Sequence, residues 1–275
     1  MNDTSTLPIG VFDSGLGGLT VLKALRERFT HEHFIYLGDT ARIPYGSKSP
    51  RTIQRYLEQN IKFLESCGVK AVVIACNSAS TQAAQVLAAA NAAGTKIVPL
   101  YNVISPSARR ASEITKNGLV GVIATRATVQ SRAYVSEVEK LNPKLKVYQQ
   151  ACPLLVPLVE EGWDEDPITN LIVYRYLTPL VAANVDTLIL GCTHFPILRN
   201  AIARVTGPHV ELVESSISIA DQIQSDFESA KLAPNHSGLS SELRVYTTDV
   251  SDNFQALAQR IMGTQALKQL ELADI

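Results

Sequence analysis

Short apolar runs alternate with amphipathic stretches along this chain, and their order predicts strands followed by helices. Ile9–Phe12 is the first apolar run, followed by a turn over Asp13–Gly18 and a helix over Leu19–Phe29. Phe34–Leu37 is a second strand, closed by Gly38 and Asp39. Ser49 has the character of a helix N-cap with Pro50 at the first helical position. Ile53, Leu57, Ile61 and Leu64 follow at helical spacing, and Gly68 stands where a helix ends. Ala71–Ala75 is solidly apolar and stops at Cys76, Thr81–Ala93 is Ala-rich and helical, and Lys96–Leu100 is the next strand.

The pattern then restarts. Val120–Ile123 repeats the apolar-glycine-apolar pattern of Ile9–Phe12. Asp186–Leu190, ending in Gly191-Cys192, repeats Ala71–Ala75 ending in Cys76 at nearly the same interval. Solid apolar runs are what parallel strands, buried on both faces, require. The expectation is an α/β fold of two pseudo-symmetric βαβ domains, Rossmann- or flavodoxin-like. The sheets are expected to be mostly parallel, with the active site in the cleft between the domains. Residues 1–101 with 211–275 make the first domain and 102–210 the second. The chain is expected to cross over near Asn102–Ser107 and return near His209–Ser215, with a helix near Val250–Met262 packing back on the first half.

Composition narrows the class. Hydrophobic residues are 46% and charged residues 19% of 275, which excludes a largely disordered chain. The net charge of −1 gives no basic excess for nucleic acid and no polybasic run for an anionic membrane. Met1–Gly10 lacks the basic and apolar regions of a secretory signal. The longest apolar stretches, such as Ala71–Cys76 and Thr187–Leu190, are strand-sized rather than membrane-spanning. Cys67, Cys76, Cys152 and Cys192 contain no CxxC pair, so neither a disulfide framework nor a metal site is indicated. A cytoplasmic protein with reduced thiols is the expectation.

In open α/β sheets the ligand lies beyond the carboxyl ends of the strands. The residues there are Asp13-Ser14-Gly15, Asp39-Thr40, Cys76-Asn77-Ser78, Ala124-Thr125 and Cys192-Thr193-His194. Asp13–Thr20 has glycines at 15 and 17 but threonine where a dinucleotide fingerprint needs a third, although Asp39 stands where a ribose-binding carboxylate would. No P-loop is present. Cys67 and Cys152 read as small buried hydrophobes. Cys76 and Cys192 each end a buried strand at matching places, where the start of a helix favours thiolate. His194, beside Cys192, is a proton-handling candidate, and Asp13 is both an N-cap and a rim carboxylate. Pro44, Tyr45 and Gly46 read as a rigid loop near the cleft. Glu160, and the His31–His33 segment with its Glu32, read as solvated surface.

Two thiols on opposite faces of a carbon beside a carboxylate have one natural use. One removes the proton, the other delivers a proton to the far face, and the centre inverts. Six segments then carry a resemblance: IGVFDSGLGGLTVL at Ile9–Leu22, YLGDTARIPYG at Tyr36–Gly46, VIACNSAST at Val73–Thr81, VGVIATRATVQS at Val120–Ser131, ACPLLVPLVEEG at Ala151–Gly162 and LILGCTHFPIL at Leu188–Leu198. On these the chain resembles the aspartate/glutamate racemase family, in its glutamate branch. The resemblance implies racemisation of glutamate without a cofactor, supplying D-glutamate for peptidoglycan in a bacterial cytoplasm. It implies that Cys76 serves the D-enantiomer and Cys192 the L-enantiomer, with Asp13, Glu160 and His194 as supporting acid/base residues. The implied substrate-binding set is Asp13, Ser14, Pro44, Tyr45, Gly46, Asn77, Ser78, Thr125, Thr193 and His194. Glutamate is the expected partner, nucleic acid and membrane are not, and a homodimer stays open. An aspartate racemase, a Cys–His hydrolase or transferase using Cys192 and His194, and a non-catalytic metabolite-binding protein are the competing readings.

Overall fold

A computed structural model describes residues 4–238, 240–250, 252–263 and 270–275. Strand β1 (Ile9–Asp13) leads to α1 (Leu19–Arg28), β2 (Phe34–Gly38) and α2 (Pro50–Ser66). After β3 (Ala71–Ile74) come α3 (Asn77–Ser80), α4 (Ala83–Ala92) and β4 (Leu100–Asn102). The chain crosses through α5 (Ile104–Ile114) to β5 (Leu119–Ala124), α6 (Arg126–Ser131), α7 (Ala133–Leu141) and β6 (Lys146–Ala151). It continues with α8 (Leu155–Glu160), α9 (Pro167–Ala182), β7 (Thr187–Gly191), α10 (Arg199–Thr206) and β8 (Glu211–Glu214). The return runs through α11 (Ser215–Glu228) to β9 (Leu243–Thr247), α12 (Asp252–Met262) and β10 (Leu270–Leu272).

Two all-parallel sheets result. One has the order β10-β9-β2-β1-β3-β4 and the other β6-β5-β7-β8. With β9 and β10 set aside, each half places its second strand outside its first, then its third and fourth, the doubly wound order that opens a ligand crevice at the strand ends. The two α/β halves suggested by the repeated apolar-glycine pattern are therefore built alike. One boundary moves. The return to the first half is expected at residue 211, yet Glu211–Glu214 pairs with β7, so the chain leaves the second sheet only at Ser215.

The expected elements form for the expected reasons. Ser49 accepts the Thr52 N–H and Pro50 begins α2. Ile53, Leu57, Ile61 and Leu64 are buried, and Gly68 takes φ +77° just past the end. Strand β1 is buried on both faces: Ile9 and Val11 join a core shared by the two halves, while Phe12 faces α2 and the first half's own core. The shared core also takes Leu188 and Leu190 of β7, and α1 packs on α11 and α12.

Three elements depart from the pattern. The strand expected at Lys96–Leu100 lies at Leu100–Asn102, because it adds only a short edge beside β3. The helix expected over Thr81–Ala93 is broken into α3 and α4 and begins at Asn77, directly after Cys76. Strand β6 gave no apolar run because it is a half-exposed edge strand. Glu32 is likewise not a solvated residue. Its carboxylate is buried 2.6 Å from Lys70 Nζ and also accepts the Asn235 N–H, while Lys70 reaches the Ser5 and Ala233 carbonyls. This pair ties the start of β3 to the segment before β1, to the turn before β2 and to the loop between α11 and β9. Among the described residues, no helix is long and apolar enough to cross a membrane.

Removing one member of a buried ion pair strands the other charge. Lys70→Met is expected to cost about 3–5 kcal/mol in urea denaturation, and the double change Lys70→Met, Glu32→Leu much less, since no charge is then left buried alone.

Candidate active site

The carboxyl ends of β1 and β3 face those of β5 and β7, and a cavity of about 220 Å³ lies between them. That is smaller than the usual pocket for a drug-sized ligand and suits a small metabolite. Ser14, Pro44, Tyr45, Gly46, Cys76, Asn77, Ser78, Thr125, Glu160, Cys192, Thr193 and His194 all line it. Asp13 stands one layer behind, fully buried, taking the Gly15 N–H on one oxygen and the Thr193 hydroxyl on the other at 3.4 Å.

The glycine-rich loop that could have cradled a nucleotide does something else. A Cβ on Gly17 would stand 2.6 Å from His194 Nδ1 and closer still to Thr193 Oγ1, so the loop can meet the second half only as glycine. Thr20 Oγ1 donates to the Thr193 carbonyl alongside. Asp39 is also committed: it takes the Tyr45 hydroxyl and the Arg42 guanidinium, with Asn60 and Thr248 behind. It holds the Pro44–Gly46 loop against the cavity rather than binding a ribose. Tyr45 accordingly presents its ring and backbone to the cavity, because its hydroxyl is turned toward Asp39.

The two thiols sit in unlike surroundings. Cys76, 5% exposed, is 3.4 Å from the Ser14 hydroxyl. Burial, reinforced by the Asp13 carboxylate, pushes its thiol up to about 12 against the pull of that hydroxyl. Cys192 Sγ lies 3.8 Å from His194 Nδ1, and His194 Nε2 lies 3.2 Å from Glu160 Oε1. Burial opposes charge on His194, but Cys192 and Glu160 together outweigh it and raise the imidazole to about 10. Burial also raises Asp13, against the charge of His194 and the Gly15 N–H. One side of the cavity thus holds a neutral thiol near a carboxylate, and the other a sulfur beside an imidazolium backed by Glu160.

Hydrogen bonds join the halves around the cavity. Ser78 Oγ is 2.9 Å from Thr125 Oγ1, and the Tyr134 hydroxyl donates to Asn77 Oδ1 at 2.6 Å. Thr125 also caps α6. The motif reading missed Ile43, Ser47, Arg126, Pro153, Val156 and Pro157, which complete the wall. Arg126 could have been found, since it directly follows Thr125 at a strand end. The Pro153–Pro157 segment lies within the Ala151–Gly162 stretch that carries the resemblance, but no strand-end reading marks it, because it follows β6, the strand without an apolar signal. Glu160, read from spacing as surface, is brought to His194 by α8.

The Asp/Glu/Hydantoin racemase family model matches residues 9–222. A glutamate racemase of Syntrophus aciditrophicus is 44% identical over 262 residues, 95% of each chain. One from Neisseria meningitidis is 44% identical over 268 residues, 98% of this chain and 97% of that protein. The crystal structure of glutamate racemase from Francisella tularensis in complex with D-glutamate superposes with a TM-score of 0.89 at 37% identity, covering 98% of both chains. The chain belongs to the Asp/Glu/hydantoin racemase family and is an isomerase of that family.

The His194 shift has a direct consequence for pH. Because its folded value lies above the ordinary ~6.5 of an unfolded histidine, its stabilising effect is complete below that value and is lost as pH rises through about 10. Imidazole ¹⁵N NMR is expected to find the ring charged at pH 8 and titrating near 10. Glu160→Gln removes one of the two groups that raise it, so the midpoint moves down; an unmoved midpoint would detach Glu160 from this role.

Proposed function

We propose that this racemase-family chain interconverts L- and D-glutamate by proton transfer between Cys76 and Cys192 across the α-carbon. The observation that carries the mechanism is the pairing itself. Two buried thiols, at matching strand ends of two similar halves, line one cavity and differ in their proton environment. Glutamate as substrate is supported by the near full-length glutamate racemases to which the chain is similar.

For L-glutamate, Cys192 Sγ takes the α-proton as the C–H bond breaks. The electron pair is left on the α-carbon and spreads into the adjacent carboxylate. Cys76 then gives its thiol proton to the opposite face, forming the new C–H bond. The site ends with Cys192 protonated and Cys76 ionised, ready for the reverse reaction. A sulfur beside an imidazolium suits the acceptor, because the cation stabilises the charged form. A thiol pushed up to about 12 suits the donor, because it carries its proton at neutral pH. With Cys192 ionised and Cys76 protonated, the site is set for the L-to-D direction. His194 with Glu160 holds the countercharge at Cys192, and Asp13 adjusts the proton affinity on both sides through Cys76 and His194.

Hydroxyls of Ser14, Ser78, Thr125 and Thr193 and the Asn77 amide supply donors for the two carboxylates of the substrate, with Arg126 adding a fixed positive charge. Donors placed before the reaction stabilise the charge that develops on the carboxylate without further reorganisation. The lining residues include no lysine to which a pyridoxal aldehyde could attach. A Cys–His hydrolase would use Cys192 and His194 but leave Cys76 without a task. Enantiomers have equal energy, so the reaction stops at an equal mixture unless D-glutamate is consumed. We take that consumer to be peptidoglycan assembly in a bacterial cytoplasm.

Deuterium oxide tests the two-thiol mechanism. With L-glutamate at early turnover, the D-glutamate formed should carry deuterium at the α-carbon while remaining L-glutamate keeps protium. Cys76→Ala and Cys192→Ala should each abolish racemisation in both directions while the circular dichroism of the fold persists. Rapid label in the starting enantiomer, or a racemising Cys76→Ala enzyme, would overturn the mechanism.

Substrate choice is tested separately. Aspartate is one methylene shorter and leaves part of the donor set unpaired, so glutamate should have the higher kcat/KM by about a hundredfold or more. The reverse order would remove glutamate as the substrate.

A further inference from the structure

Tyr134, on α7, is fully buried and belongs to no motif, yet it touches both halves of the site. Its ring packs over the turn that carries Cys192. A Cβ on Gly191 would come within 3.1 Å of Tyr134 Cε2, so the glycine is what lets the ring lie there. Its hydroxyl crosses to the first half and donates to Asn77 Oδ1 at 2.6 Å. The hydroxyls of Ser107 and Ser215, 3.4 Å apart, lie near the same phenol and ease the upward push of burial on it. Those serines lie on α5 and α11, the two segments that cross between the halves.

The consequence falls on Asn77. An amide side chain has one accepting and one donating end, and it can present either to a ligand. Here the accepting end is occupied by Tyr134. The donating end, Nδ2, is buried, has no hydrogen-bond partner in the protein, and belongs to a residue of the cavity wall. A buried donor without a partner is costly unless a ligand satisfies it. We propose that Tyr134 is a positioning residue, which holds the Asn77 amide with its N–H groups toward the substrate carboxylates and its oxygen away from them. This rests on the reading of Asn77 as a substrate contact. Without the phenol, the amide can turn and present its oxygen to an anion. Binding of both enantiomers then weakens, while the thiols that move the proton stay in place.

Tyr134→Phe keeps the ring over Gly191 and removes only the hydroxyl. It should raise KM about tenfold for L- and D-glutamate alike, with kcat little changed. Asn77→Ala should raise KM as well, and the double variant should be no worse than Asn77→Ala, since Tyr134 acts through that amide. A normal KM for Tyr134→Phe beside a raised one for Asn77→Ala would overturn the positioning role, as would effects that multiply in the double variant. A fall confined to kcat would overturn it too. A normal KM for Asn77→Ala would instead remove Asn77 as a substrate contact, and this proposal with it. Should Tyr134→Phe not fold, ¹⁵N NMR of the wild-type protein decides. Saturating glutamate should shift the Asn77 side-chain N–H resonances, identified by their loss in Asn77→Ala, and an amide that does not respond would overturn the proposal.

Discussion

Two parallel sheets meet with the carboxyl ends of their strands facing each other, and the closeness of that meeting governs the rest of the structure. Gly17 lies so near Thr193 and His194 that no side chain fits between them. Thr20 and Asp13 bond to Thr193 on the same seam, and Ser78 reaches Thr125. The contact is made of glycine, hydroxyls and one carboxylate because it must be both tight and polar. Backbone approaches closely only where Cβ is absent, and buried polar groups are tolerated only when paired. A looser seam would admit water and spread the two cysteines, Cys76 and Cys192, apart.

The same closeness makes the two sulfurs unequal. Both are buried, and burial alone would treat them alike. Their neighbours do not. Asp13 stands against Cys76, where it opposes a second negative charge, and the His194 imidazole stands against Cys192. Glu160 supports that difference, because together with Cys192 it keeps the proton on an imidazole that burial opposes, up to about 10. A reaction that takes a proton from one face and returns one to the other needs an occupied donor and an empty acceptor at the same moment. In the proposed reaction these unlike surroundings let one residue type serve both.

Around this centre, polar residues that could be taken for ligand contacts turn out to hold other residues. Asp39 fixes the Pro44–Gly46 loop through the Tyr45 hydroxyl, and Glu32 with Lys70 gathers the segments at the base of β3. Tyr134 joins the turn before Cys192 to the Asn77 amide. Their partners separate them from contact residues: each is engaged by other protein groups, whereas Asn77 keeps an unpaired donor at the cavity wall.

Much of this was legible in the sequence, for definite physical reasons. Parallel strands buried on both faces must be continuously apolar, so β1, β3, β5 and β7 are visible as runs, and the residues that end them are the ones that reach a ligand. Cys76, Cys192, Asp13 and His194 therefore stand out from their positions along the chain alone, and the repeat of the pattern implies two similar halves. The half-exposed edge strand β6 has no such signature, so the Pro153–Pro157 wall gave no signal in the apolar pattern, and Glu160 entered only through the family resemblance. Charge pairing was equally unreadable. Glu32 stands between two histidines in a polar segment, and only the arrival of Lys70 from a distant strand buries it. Glu160 is distant in sequence from His194, and Tyr134 from Asn77, so no local spacing encodes either contact. Apolar periodicity is a local property that the sequence determines by itself. Which polar groups meet, and hence which neighbours each thiol has, is decided only when the two sheets close on each other.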